Sequence, residues 1–184
     1  MHCHSAAPLL RNLMRVERLK VSEDARLRAL RLRALEESPD AFATTLEQAT
    51  AWPEHNWKQQ ARALPTFLAV RDGEDVGMVR CTLDRADSKK AFLISMWVAP
   101  KDRRSGVGRR LVEAVLEWAA QAGADRVVLD VIDHNRGAIA LYAAMGFKRT
   151  GNVGCFPAPR EHIREHQRER RLRSRRRGGT TPAT

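Results

Sequence analysis

Trp97-Val-Ala-Pro-Lys-Asp-Arg-Arg-Ser-Gly-Val-Gly-Arg-Arg-Leu-Val112 reads as the end of a strand, a turn and the start of a helix. Upstream, Phe92–Val98 is apolar apart from Ser95, and Pro100 cannot continue a strand interior. Downstream, Val107, Leu111, Val115 and Trp118 recur at helical spacing, with Ala114 and Ala119 beside them. The first N–H groups of a helix have no partner inside it, and the macrodipole favours an anion there. Gly106 and Gly108 have no Cβ, so a ligand can approach the backbone, and Arg103, Arg104, Arg109 and Arg110 add positive charge. The stretch therefore reads as a phosphate cradle at a helix N-terminus. It is not a Walker loop, which ends in Gly-Lys-Ser/Thr. It is not a dinucleotide fingerprint either, because Leu111 stands where that motif has its third glycine.

A second stretch, Asn135-Arg-Gly-Ala-Ile-Ala-Leu-Tyr142-Ala-Ala-Met-Gly-Phe147, follows after a helix and a strand. Arg-x-x-Gly-x-Gly at Arg103–Gly108 resembles the acetyl-coenzyme A signature of the GNAT acetyltransferases. The second stretch is similar to the same family's Asn-x-x-Ala-x-x-Leu-Tyr-x-x-x-Gly-Phe. The two stand in the family's order, and the resemblance covers about Val16 to Phe147, most strongly from Phe92 onward.

The remaining segments fill in the architecture. Arg15–Lys20 reads as a first strand. A helix follows from Ser22, with Leu27, Leu30 and Ala34 on one face, and ends at Pro39. Thr45–Ala63 reads as a second helix broken at Pro53. Phe67–Val70 and Val76–Leu83 are strands joined by a turn at Asp72–Asp75. The helix after the cradle ends near Gly123, Val127–Ile132 is a strand, and Phe147 opens another. Strand, helix and strand from Phe92 to Ile132 form a β-α-β unit, hence a parallel pair, while the earlier strands should be antiparallel. The fold expected is α/β: a mixed, mostly antiparallel sheet with helices on both faces. The resemblance adds that the parallel pair splays at its C-terminal end and admits the cofactor. The family's closing strand would fall near Ile163–Leu172, but HIREHQRERRL lacks the apolar alternation of a strand, which leaves that strand in doubt.

The chain of 184 residues is long enough for one domain with a real core, expected over 14–172. Residues 1–13 and 173–184 read as disordered extensions, the second strongly basic. Of the net charge of +11, the segment from Arg160 contributes nine Arg against three Glu. Such a tail can hold nucleic acid phosphates nonspecifically, yet it lacks aromatics for base stacking. No apolar run is long enough to span a membrane, and no secretory pattern opens the chain. Cys3, Cys81 and Cys155 are odd in number and scattered, which argues for a reducing, cytoplasmic setting. His2, Cys3 and His4 find no partner cluster at zinc spacing, so no metal is expected.

The resemblance implies acetyl-CoA as co-substrate and direct transfer of the acetyl group to an amine of a small molecule or a protein. On that reading Tyr142 is the acid that protonates the leaving thiolate. The oxyanion donor is a backbone N–H on the Trp97–Val98 strand. The pyrophosphate rests on the amides of Arg104, Ser105, Gly106, Val107, Gly108 and Arg109, with Arg103 and Arg104 reaching the phosphates. Asn135, with Ala138 one turn on, either caps its helix or faces the pantetheine arm. Glu36, Glu37, Asp40 and Asp130 are general-base candidates by type only, and a surface role is the plainer reading of each. Cys81 reads as a buried structural thiol. A non-catalytic acyl-CoA-binding module is the alternative, and a homodimer is the family's common assembly.

Overall fold

A strand that must continue through Pro100 and two glycines into a helix leaves the sheet at its C-terminal end, and the sheet is built around that exit. The structure, a computed structural model, describes residues 14–172. The two terminal extensions read from the sequence lie outside the described residues. The strands are β1 (Arg15–Arg18), β2 (Thr66–Arg71), β3 (Glu74–Leu83), β4 (Lys90–Val98), β5 (Arg126–Ile132), β6 (Lys148–Cys155) and β7 (Arg164–Arg171). They form one seven-stranded sheet in the order β1-β2-β3-β4-β5-β7-β6. The helices are α1 (Asp24–Glu37), α2 (Leu46–Thr50), α3 (Glu54–Ala63), α4 (Val107–Gln121) and α5 (Arg136–Ala144). Thr45 and Gln48 cap α2 reciprocally, and Pro53 separates α2 from α3 as its rigid φ dictates.

Two apolar layers sandwich the sheet. On one face α4 and α5 cover Val79, Cys81, Leu93, Val127 and Leu129; on the other α1 and α3 cover Leu68, Met78 and Trp97. All strand pairs are antiparallel except β4 with β5, which run parallel as the β-α-β unit requires. That parallel ladder is short. It holds Lys90↔Arg126, Ala91↔Val127 and Phe92↔Val128 and then stops. From Leu93 onward the β5-facing edge of β4 has no strand partner, so the pair splays.

The cause lies within β4. Met78 pairs with Trp97 and Arg80 with Ile94, so Ser95 and Met96 together oppose the single residue Val79. This is a β-bulge, with Ser95 in the left-handed region at φ 53°. The extra residue shifts the pleat by one, and a one-residue shift exchanges faces. Ala91 and Leu93 therefore face α4, whereas Trp97 belongs to the layer under α1. The bulge was not read from the sequence, where Phe92–Val98 is a uniform apolar run.

The doubtful last strand forms. β7 lies between β5 and β6 and pairs with β5 at seven consecutive positions, from Arg126↔Arg171 to Ile132↔Glu165. Apolar alternation fails there because, among the described residues, no helix covers this end of the sheet as α4 covers the other. The ladder and cross-strand ion pairs, such as Arg126 with Glu169, hold it instead. β6 is exposed along its whole length.

Gly77 on β3 lets α4 approach the sheet: a Cβ there would stand 2.9 Å from the Trp97 carbonyl oxygen and 3.1 Å from Leu111 Cδ1. The backbone oxygen cannot yield. Gly77→Ala is expected to cost about 2 kcal/mol, in the range of overpacked cores; urea unfolding checks this, and an unchanged midpoint would contradict the packing described.

Candidate functional site

The helix that leaves the splay begins without a side-chain cap. Arg104 has φ 61° and Gly106, the N-cap residue of α4, has φ 88°, two left-handed residues that turn the chain into the helix. No side chain accepts from the first amides of α4, and the space where a Cβ of Gly106 would lie is open. Those orphan donors, with the helix dipole behind them, are a fitting seat for a phosphate. The next helix differs: Asn135 Oδ1 accepts from the Ala138 amide at 3.0 Å and caps α5. The capping reading of Asn135 thus describes its observed hydrogen bond.

The loop before α4 is held from below. Arg71 Nη1 donates to Asp102 Oδ1 at 2.6 Å and its Nη2 to Ser105 Oγ at 3.0 Å, while Ser105 Oγ donates to the Asp102 carbonyl at 2.6 Å. Asp102 is buried. Ser105 therefore braces the loop instead of capping the helix. Sequence reading missed Arg71, which lies 31 residues from Asp102 at the end of an otherwise apolar strand.

The two sequence motifs meet at Gly108. A Cβ there would stand 3.0 Å from Leu141 Cδ2 on α5, 3.4 Å from Met96 Cε and 3.9 Å from Val98 Cγ2 on β4. The absence of a side chain at Gly108 is what lets α4, α5 and the far half of β4 come together. Val107 is buried beneath this junction, and Arg109 points outward to Glu113 at 3.2 Å. Tyr142 lies next to Leu141, is buried, and packs edge-on to Phe147 with ring centroids 5.7 Å apart. Its hydroxyl makes no hydrogen bond among the described residues. Burial pushes its pKa above the usual phenol range and so favours the neutral, protonated phenol.

Arg103 and Arg104, grouped by sequence, separate here. Arg104 is exposed. Arg103 donates from Nε to the Val98 carbonyl at 2.9 Å and from Nη2 to Glu37 Oε2. Glu37 Oε2 also accepts from Trp97 Nε1 at 3.0 Å and from Ser38 Oγ. Glu37 is therefore not the plain surface carboxylate expected of it: it ties the end of α1 to the tip of β4 and to the cradle loop. Burial alone would raise its pKa, but the bonds from Ser38, Trp97 and Arg103 outweigh that and hold the carboxyl below its usual range.

Just past the end of α1, two loops approach each other. Arg160, between β6 and β7, donates to the carbonyls of Phe42 at 3.0 Å and Pro39 at 2.8 Å, and stacks on Phe156 at 4.8 Å. Asp40 joins this strap through Arg160. Asp130 on β5 and Glu165 on β7 point to the same side of the sheet. Desolvation raises the pKa of Asp130 against a hydrogen bond from Gln167, and burial together with the charge of Asp130 raises that of Glu165. Glu165 was missed because its segment did not read as a strand. Cys81 is a buried thiol pushed up to about 12 by burial. No group of three or more metal-ligating side chains occurs among the described residues, and none of their helices is long and apolar enough to cross a membrane.

The chain matches the family model described as acetyltransferase (GNAT) family over residues 26–147. It belongs to that family. Among the relatives is mycothiol acetyltransferase of Thermobispora bispora, 33% identical over 125 residues, which are 66% of this chain and 41% of that protein. N-alpha-acetyltransferase 30 of Homo sapiens is 33% identical over 97 residues, 52% of this chain and 25% of its own length. The chain thus spans less than half of these two curated relatives. The structure of yncA from Salmonella typhimurium with its cofactor acetyl-CoA superposes with a TM-score of 0.72 at 16% identity, covering 93% of this chain and 98% of that one. The likeness confirms the GNAT fold: a mixed sheet with one parallel pair and helices on both faces.

The Glu37 clamp yields a pH-dependent expectation. Its stabilisation is present above the carboxylate's unfolded pKa and is lost as pH falls through the lower folded value. Glu37→Gln is expected to cost about 1–2 kcal/mol at pH 7, a difference that narrows below about pH 4. Denaturant unfolding across pH checks it; a constant difference would refute the clamp.

Proposed function

We propose that this GNAT protein is an acetyl-CoA-dependent N-acetyltransferase acting by direct transfer to an amine. The observation that carries the reading is the uncapped start of α4 at the open end of the splayed β4–β5 pair, with Tyr142 packed beside it. Acetyl-CoA, when bound, supplies an activated acyl group as a thioester. The amides of Arg104 to Arg109 seat its pyrophosphate, with the Arg104 guanidinium free to reach the same charge. Arg103, engaged with Val98 and Glu37, keeps the tip of β4 in place. A backbone N–H of the Trp97–Val98 segment, on an edge left without a strand partner, donates to the reacting carbonyl oxygen. Asn135, while capping α5, stands with Ala138 along the path of the pantetheine arm. The Tyr142 hydroxyl holds the proton that the departing sulfur takes up. On the other side of the sheet, Asp130 and Glu165 are carboxylates with raised pKa values, suited to accept a proton from the amine.

Tyr142→Phe is expected to lower kcat at least about a hundredfold while the fold is retained, and the wild-type rate should show no basic limb below about pH 9 attributable to Tyr142. Steady-state thiol release with and without the substitution measures both; an unaltered kcat would remove the acid role. Gly106→Glu sets a carboxylate against the pyrophosphate and strains a left-handed position. It should weaken acetyl-CoA binding by about tenfold or more, roughly 1.4 kcal/mol, by calorimetry, and equal affinity would sink the cradle.

A further inference from the structure

Two guanidinium groups are buried on the face of the sheet opposite α4 with no counter-charge paired to them among the described residues. Arg31 on α1 is 5% exposed and Arg80 on β3 is 4% exposed. Arg31 makes no hydrogen bond among the described residues; its Nε and Nη1 are buried without an acceptor, and its guanidinium lies 4.3 Å from the Phe42 ring centroid. Arg80 donates from Nη1 to Gln60 Oε1 at 2.8 Å and from Nη2 to the Gln60 carbonyl at 3.4 Å, and leaves Nε without an acceptor. Burial, and after it the charge of Arg80, pull the Arg31 pKa down to about 10; burial pulls Arg80 down to about 10 as well.

A stack on one aromatic ring accounts for part of one side chain. It does not account for three buried guanidinium nitrogens without acceptors. Hydrophobic side chains of similar volume would fill the same space without the desolvation of two like charges. The location is informative. Phe42, over which Arg31 lies, is the residue whose carbonyl receives Arg160 from the β6–β7 loop. Arg80 pairs with Ile94, the last residue before the β4 bulge, level with the point where β4 and β5 part. Arg31 therefore lies beside the Phe42 loop that Arg160 straps, and Arg80 lies on the same face of the sheet, near the end of α3 and level with the parting of β4 and β5.

We propose that Arg31 and Arg80 bind an oxyanion carried by the acceptor, a carboxylate or a phosphate, so that the amine acetylated belongs to an amino acid-like or amino phosphate-like compound. The proposal rests on the acetyltransferase reading. It also sorts the two ends of such a molecule. Asp130 and Glu165 lie on the same face of the sheet, on the far side of the β4 tip, and suit the ammonium end, while planar guanidinium groups suit the oxyanion.

The test uses the full chain with saturating acetyl-CoA, which occupies the phosphate cradle. Thermal unfolding is followed in sodium phosphate and in sodium succinate against sodium chloride at constant ionic strength. One or both oxyanions should raise the wild-type Tm by about 2 °C or more above chloride, and Arg31→Gln or Arg80→Gln should abolish that increment. Phosphate alone, or succinate alone, would assign the group. In turnover, O-phosphoethanolamine against ethanolamine and phenylalanine against phenethylamine form matched pairs. The anionic member of at least one pair should have a KM about tenfold lower, and Arg31→Gln should narrow that ratio. Equal Tm in all three salts, an increment that survives both substitutions, or a preference for the neutral amine in both pairs would overturn the proposal. Should a variant not fold, the wild-type KM ratios decide alone, because phosphate and succinate also raise Tm by exclusion from the protein surface, and the absence of a ratio overturns the proposal. No shift by acetyl-CoA itself would instead overturn the acetyltransferase reading, while an oxyanion increment lost in the arginine variants would still establish the site.

Discussion

Two parallel strands joined by a helix are normally held together along their whole length, and here they are held for only three residue pairs. The candidate site depends on that early parting. The bulge at Ser95–Met96 bends β4 away, the freed edge of β4 faces a gap, and the start of α4 delivers uncapped amides to the gap's rim. A regular strand would have paired Leu93–Met96 with Leu129–Ile132 and closed it. The sheet gives up backbone hydrogen bonds there, and the two apolar layers stabilise what remains.

Around the gap, polar contacts do the positioning. Arg71 and Asp102 brace the cradle loop, while Glu37 gathers Trp97, Ser38 and Arg103 at the tip of β4. Asp102 Oδ1 and Glu37 Oε2 accept hydrogen bonds from groups that would otherwise be free, while Asp102 Oδ2 is buried without a partner among the described residues. Asp130 and Glu165 are in the opposite condition, partly desolvated and with fewer donors, which raises their pKa values. Carboxylates in one small domain are thereby sorted into those that hold the backbone and those able to take up a proton.

The glycine-arginine turn and the Asn135–Phe147 stretch were legible because both are local: spacing alone places Gly106 at a helix start and Asn135 at a cap. Element identity was legible wherever helices cover the sheet, since burial imposes periodicity. Three features were not. The bulge is invisible in a run that is apolar throughout. β7 hides because its flanking strands, rather than an apolar face, hold it. Arg71, Glu37, Arg160, Arg31 and Arg80 act through partners far away in sequence, and no local pattern marks them. Arg103 and Arg104 are adjacent and chemically identical, yet the backbone turn gives them different surroundings.

The bulge has one more consequence. Because it exchanges the faces of β4 partway along, a single strand inserts Leu93 into the layer beneath α4 and Trp97 into the layer beneath α1. The two layers are thus pinned by one continuous stretch of backbone. Strands β2 and β3 join the layers by simple alternation, Leu68 and Met78 on one side and Ala69 and Val79 on the other. On β4 the irregularity that opens the gap decides which of the two layers receives Trp97.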